Sequence, residues 1–159
     1  MAFEPLETAE GQDYPAVRQL SVFTENRIGQ LLRLTRLLRQ TDIRILALSV
    51  VNAVDCAVIR MIMDDPDQAH MLFSENGFSV SETELIVVSL PPGKQGLLNI
   101  WTTLLAGEVN ILYTYPLLVR PHGAPALALQ ADHHEMACNV LRNQKFDLLD
   151  QSDLSGGIR

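Results

Sequence analysis

The chain has 159 residues, of which 47% are hydrophobic and 19% charged, a composition that sustains a packed core and excludes a disordered chain. A formal net charge of −7 argues against nucleic acid, or an anionic membrane surface, as a partner held through overall charge. Two cysteines, Cys56 and Cys138, are too few for a disulfide framework or a four-ligand zinc site, and no apolar run reaches the roughly 20 residues that span a bilayer. The opening MAFEPLETAEGQDYPA has neither a basic start nor an apolar centre. No signal peptide is expected there, and the protein is expected in the cytoplasm. Glu4, Glu7, Glu10 and Asp13 face no Lys or Arg within residues 1–15, and this stretch, with Pro5 and Pro15, reads as a flexible acidic tail.

Residues 17–24 carry Val17, Leu20, Val22 and Phe23, the chemistry of a first strand. A turn with Asn26 and Gly29 leads to a helix from Gln30 to about Gln40, with Leu31, Leu34, Leu37 and Leu38 at helical spacing. Arg33, Arg36 and Arg39 fall on its other side, a solvated face or an interface. Residues 43–51 and 56–63 read as the next two strands. Asp64, Asp65, Pro66 and Asp67 announce a second helix, which Gly77 ends. Residues 78–81 read as a short fourth strand.

The second half repeats this order. Residues 85–90 read as a strand and 97–106 as a helix. Strands follow at 111–119, interrupted at Pro116, and at 126–131. Asp132 opens a helix to about Asn143, and 146–149 close the unit. Gly29 and Gly96 lie 67 residues apart, Ile43 and Val109 lie 66 apart, and Phe78 and Phe146 lie 68 apart; near-constant offsets across separate elements point to a duplication. The fold class is therefore α+β, two tandem ferredoxin-like βαββαβ domains, each an antiparallel sheet with helices on one face. The domains are placed at residues 16–83 and 84–153, flanked by tails at 1–15 and 154–159. Each sheet has a second face that needs cover, so a homodimer is expected.

The stretch LSVFTENRIGQLL at residues 20–32 resembles the first strand, turn and helix start of ACT domains, the small-molecule sensing modules of amino-acid metabolism. DIRILALS at 42–49 and DDPDQA at 64–69 resemble their second strand and second-helix start. LIVVSLPPGKQGLL at 85–98 resembles the opening of another such domain. Ile28 and Gln95 stand where Pro is common in the family. The resemblance implies a stand-alone tandem-ACT protein, non-enzymatic and without cofactor, that binds an amino acid or similar small ligand and acts through ligand-linked assembly. An alternative it implies is a regulatory small subunit of an acetolactate synthase-like enzyme of branched-chain amino-acid biosynthesis, whose opening domain has a similar turn to Glu25, Asn26 and Gly29.

The turn before the first helix has suitable chemistry for this. Gly29 permits close approach of backbone to ligand. The free N–H groups at Gln30 and beyond, with the helix dipole, suit a carboxylate. Asn26 offers both a donor and an acceptor, though it also suits a helix cap. Arg27 suits an anion, and Ile28 and Leu31 a side-chain pocket. Leu48 and Ser49 resemble positions that face a bound ligand from a neighbouring ACT domain. Gln95, Gly96 and Leu97 form the second candidate loop, with Tyr113 and Tyr115 as its strand partners. His133 and His134, between Asp132 and Glu135, read as a helix start and not a metal site, because adjacent helical side chains diverge. Cys56 and Cys138, with Met61, Met63 and Met71, read as core. No nucleophile elbow, phosphate loop or H-E-x-x-H motif is present.

Overall fold

The computed structural model describes residues 14–155, so most of the expected acidic tail and residues 156–159 lie outside the described residues. The first unit comprises β1 (Val17–Glu25), α1 (Gln30–Leu38), β2 (Ile45–Asn52), β3 (Cys56–Met63) and α2 (Pro66–Glu75). A long β4 (Ser79–Ser89) leads into α3 (Gly96–Ala106), β5 (Ile111–Pro116), β6 (Ala126–Ala131), α4 (His134–Asn143), β7 (Leu148–Leu149) and α5 (Gln151–Ser155). The strands are antiparallel in the order β2-β3-β1-β4-β6-β5, with β7 also on β4.

The duplication is written into the backbone hydrogen bonds. In the first half Arg44 N donates to Asp64 Oδ1 (2.8 Å) and Asp64 N donates to Arg44 O (3.1 Å). In the second, Asn110 N donates to Asp132 Oδ1 (3.1 Å) and Asp132 N to Asn110 O (3.0 Å). Both α2 and α4 end with the same six-to-one bond, from Phe78 N to Phe73 O and from Phe146 N to Leu141 O, each 3.0 Å. That closure needs a left-handed residue; Gly77 (φ 85°) supplies it in one half and Lys145 (φ 61°) in the other.

Three cores result. Leu34 and Leu38 of α1 and Ala69 and Phe73 of α2 pack on the helix-side face of β1 and β3 with Leu20, Val22, Ile59 and Met61. Ile100 and Leu104 of α3 and Ala137, Cys138 and Leu141 of α4 do the same over Ile86, Val88 and Leu129. The third core lies between the two sheets, where Val17, Ala47, Ile62 and Leu85 meet Val87, Tyr115, Ala126, Ala128 and Leu149. The sheet also closes on itself beyond β5, since Leu118 N donates to Leu46 O (2.8 Å) and Ala47 bridges Leu117.

Several elements differ from the sequence reading. The strands expected at 78–81 and 85–90 are one strand, which pairs with β1 from Ser79 to Leu85 and with β6 from Ile86 to Ser89. The expected strand at 111–119 stops at Pro116, after which the chain turns to β2. Residues 151–155 form α5, and Leu154, assigned to a tail, is buried between the sheets. Tyr14 packs against the second-half core and its hydroxyl accepts from Asn139 Nδ2 (3.2 Å). Asp132 bonds Asn110 and does not cap α4, whose N-cap is His133. Met71 and Cys56 are exposed, whereas Met61, Met63 and Cys138 are buried as expected.

One exposed charge cluster ties α2 to the sheet. Arg18 reaches Asp67 (2.7 Å) and Glu82 (2.8 Å), and His70 Nδ1 lies 2.8 Å from Glu82. The Arg18 guanidinium, by hydrogen bond, holds the Glu82 carboxyl below its ordinary value of 4.5. A lowered carboxylate pKa gives stability that is present above that value and lost as pH falls through the folded-state value. Glu82→Gln is therefore expected to cost about 0.5–1 kcal/mol at pH 7. The difference from wild type should shrink in urea unfolding as pH falls below 4.5; a difference that does not change with pH would assign the effect to packing.

Candidate ligand-binding site

The β1–α1 turn projects beyond the sheet. Gly29 has φ 90° and is the N-cap of α1, and no side chain caps that helix. Gln30 N donates to Arg27 O (3.4 Å) within the turn, and the N–H groups of Leu31 and Leu32 are left for solvent or a ligand. No heavy atom lies within 4 Å of the place a Gly29 Cβ would occupy. Ile28 at the tip is fully exposed, and Leu31 is exposed beside it. Asn26 Nδ2 donates weakly to Ala53 O (3.4 Å), so it braces the turn against the β2–β3 loop, leaving its Oδ1 as an acceptor. Arg27 pairs with Glu25 (2.7 Å), which neutralises it locally. Gln30 is the half-buried first residue of α1.

Gly29 also borders a groove of about 670 Å³ between α1 and α2, floored by Leu32, Leu37 and Leu72. Arg36 lines it, exposed. Arg33 is exposed on α1, and it also donates to Asn76 O (2.8 Å) at the end of α2 and lies 4.6 Å over the Phe78 ring. Leu48 faces the core beneath the helices, while Ser49, one residue on, faces the opposite side of the sheet beside Arg60. The two are therefore not on one surface.

The second loop is built differently. The N-cap of α3 is Gln95, so Gln95 is the structural counterpart of Gly29, and Gly96 is already inside the helix. Gly96 is buried, and a Cβ there would stand 2.7 Å from Pro91 O. Its glycine serves close packing of the loop on the helix, whereas the left-handed turn residue of this loop is Gly93 (φ 98°). Leu97 is exposed.

Tyr113 and Tyr115 do not accompany that loop. A bulge between Ile111 and Tyr113 turns both tyrosines away from the helices and toward the first half's sheet. There Tyr115 Oη donates to Gln19 Oε1 (2.6 Å), and Gln19 Nε2 donates to Tyr113 Oη (2.9 Å) and Ser21 Oγ (3.1 Å). Burial pushes the Tyr115 hydroxyl pKa up, so it stays protonated as this donor role requires. The two rings stack at 6.4 Å with 15° between planes, and the Arg60 guanidinium lies 3.8 Å over Tyr113. Gln19, Ser21 and Arg60 were not singled out from sequence. The signal was present as isolated polar residues inside apolar strands.

Among the described residues no group of three or more His, Cys, Asp or Glu is placed to hold a metal. His133 is exposed and His134 half-buried. Burial pushes the Cys138 thiol up to about 11, which keeps it unreactive at neutral pH. No helix among the described residues is long and apolar enough to cross a membrane.

Comparison with known proteins agrees with this architecture. Residues 15–158 match the family described as an ACT domain pair. A solved protein of Bacteroides thetaiotaomicron is 30% identical, with a TM-score of 0.81 over 89% of this chain and 97% of that one. The ligand-free regulatory subunit of aspartate kinase from Thermus thermophilus shares the fold at a TM-score of 0.56 and 9% identity, over 84% of this chain and 95% of that one. No curated protein matches the sequence significantly. With two βαββαβ units sharing β4, the same hydrogen bonds repeated in each, and a match spanning both, the chain belongs to the family of ACT domain pairs.

Proposed function

We propose that this protein is a non-enzymatic regulator of the cytoplasm that binds an amino acid at the β1–α1 turn and responds by changing its assembly as a homodimer. The observation that carries this reading is the uncapped start of α1 behind the left-handed Gly29, in a family of small-molecule sensing modules. The ligand carboxylate is received by the N–H groups of Leu31 and Leu32, where the helix dipole is positive, with Gln30 N–H joining if it gives up its long bond to Arg27 O (3.4 Å). The Asn26 Oδ1 takes the ammonium. Ile28 and Leu31, exposed in the single chain, close over the ligand side chain from one copy, and a second copy completes the pocket. A ligand bound between copies favours the dimer by its differential affinity. Residues 95–97 are the weaker candidate, because Pro91 O already occupies the approach to Gly96.

Two substitutions test the site. Gly29→Val places a branched side chain on a left-handed backbone in front of the N–H groups. It is expected to weaken amino-acid binding at least tenfold in calorimetric titration. Ile28→Asn, at a fully exposed position, is expected to leave the unfolding midpoint unchanged and still weaken binding. Full affinity in both variants would move the ligand elsewhere.

A second reading is a regulatory subunit of a biosynthetic enzyme similar to acetolactate synthase. It is favoured by the exposed Leu31, Leu32, Leu97, Leu98 and Leu105 on the helical surfaces of the two halves, apolar area suited to a protein partner. Co-purification with a thiamine-dependent large subunit distinguishes it from the stand-alone sensor.

A further inference from the structure

We propose that the seam between the two halves holds a second ligand site, for a small free carboxylic acid, centred on Arg60. Strand register sets out the face of the first sheet that lies opposite α1 and α2. Ala47, Ile62, Gln19 and Thr83 form one row across it, Ser49, Arg60, Ser21 and Ser81 the next, and Val51, Val58, Phe23 and Ser79 the third. The second half covers the first row, through Tyr113 and Tyr115. The third row is open, with Phe23 and Val51 exposed.

Arg60 sits half-buried at the boundary. Its guanidinium carbon lies 3.8 Å over the Tyr113 ring, a cation–π contact made through the ring face that does not use the guanidinium N–H groups as hydrogen-bond donors to a carboxylate. Among the described residues it makes no ion pair, in a chain with 19 acidic residues. A partly desolvated guanidinium without an anion is costly, and its planar fork matches a carboxylate. Ser49 and Ser21 flank it with hydroxyl donors, Ser81 stands one strand beyond Ser21, and Phe23, Val51 and Val58 offer an apolar floor for the ligand's carbon chain. No other Lys or Arg stands in these three rows, so the charge suits a monoanion and not a phosphate. The site is on the opposite face of the sheet from α1, so it is separate from the β1–α1 turn and does not depend on it.

The test is a titration of the full-length, nitrogen-15-labelled protein with sodium acetate, read at the amides of Ser21, Ser49 and Ser81. Sodium chloride serves as the ionic-strength control, and sedimentation velocity is run alongside. Saturable shifts with acetate and not chloride, at constant mass, are expected. Arg60→Gln should weaken them at least tenfold, with Arg60→Lys intermediate. Thermal melts of both variants report on folding, and Arg60→Lys carries the comparison if Arg60→Gln unfolds. Equal binding by the variants, or shifts no different from chloride, would overturn the proposal. So would a halved mass in Arg60→Gln without acetate binding in wild type, which would assign the carboxylate to a second copy of the chain.

Discussion

Gln19→Leu is expected to destabilise the protein by about 3 kcal/mol, although leucine fits a buried strand position well. Gln19 is fully buried, and its carboxamide is the only covalent unit touching Tyr113, Tyr115 and Ser21 together by hydrogen bonds among the described residues. Leucine fills the volume and leaves the buried Tyr115 hydroxyl without an acceptor, and Tyr113 and Ser21 without a donor. Each orphaned buried group costs roughly 1–3 kcal/mol, while removing both partners of a bond is close to neutral. The double variant Gln19→Leu with Tyr115→Phe is therefore expected to recover about 1–2 kcal/mol of the loss. Urea unfolding of the three variants measures this. A Gln19→Leu protein as stable as wild type would show that the polar seam does not join the halves.

Leu154→Ala is expected to cost a similar amount, about 2–4 kcal/mol, from a position five residues from the chain's end. Leu154 is 1% exposed and belongs to the inter-sheet core. Its helix, α5, is moored to the first half by Gln151 Nε2 donating to Met63 O (3.1 Å), Arg18 N donating to Gln151 Oε1 (3.2 Å) and Ser155 Oγ donating to Asp64 O (3.1 Å). The helix is too short to hold itself together, so its burial depends on both sheets. The unfolding midpoint in urea should fall accordingly; a change below about 0.5 kcal/mol, the level of ordinary surface substitutions, would make α5 a decoration.

The repeat was legible because its signals are local. Apolar residues at helical and strand spacing, the Asp65–Pro66 start of α2 and the Gly77 stop each act within one or two turns of chain. The strands at Cys56–Met63 and Ala126–Ala131 fall where composition places them. What sequence reading missed depends on the second half covering the first. Glu82, Thr83 and Glu84 fall between strands expected to be separate, at 78–81 and 85–90, yet pairing with β1 carries β4 straight through them. Gln19 was not singled out within the first strand, and it is core because the second half's sheet is laid over it. The bulges at Ile45/Ala47 and Ile111/Tyr113, equivalent in the two halves, shift the strand period and turn Tyr113 and Tyr115 to the seam. No local pattern announces them. The turn around Gly29 was legible because a glycine between a strand and an amphipathic helix has few roles. The parallel drawn with Gly96 failed in detail, since that glycine accommodates Pro91 O and the left-handed residue lies at Gly93.

Under the proposed function this ACT domain pair is an amino-acid sensor. Calorimetric titration of the full chain with each of the twenty amino acids, with its mass in solution measured with and without each, tests it most directly. Saturable heat from one or a few of them, accompanied by a shift in the dimer equilibrium and weakened by Gly29→Val, is the expected result. No saturable heat from any of the twenty up to millimolar concentration, with an unchanging mass, would contradict it.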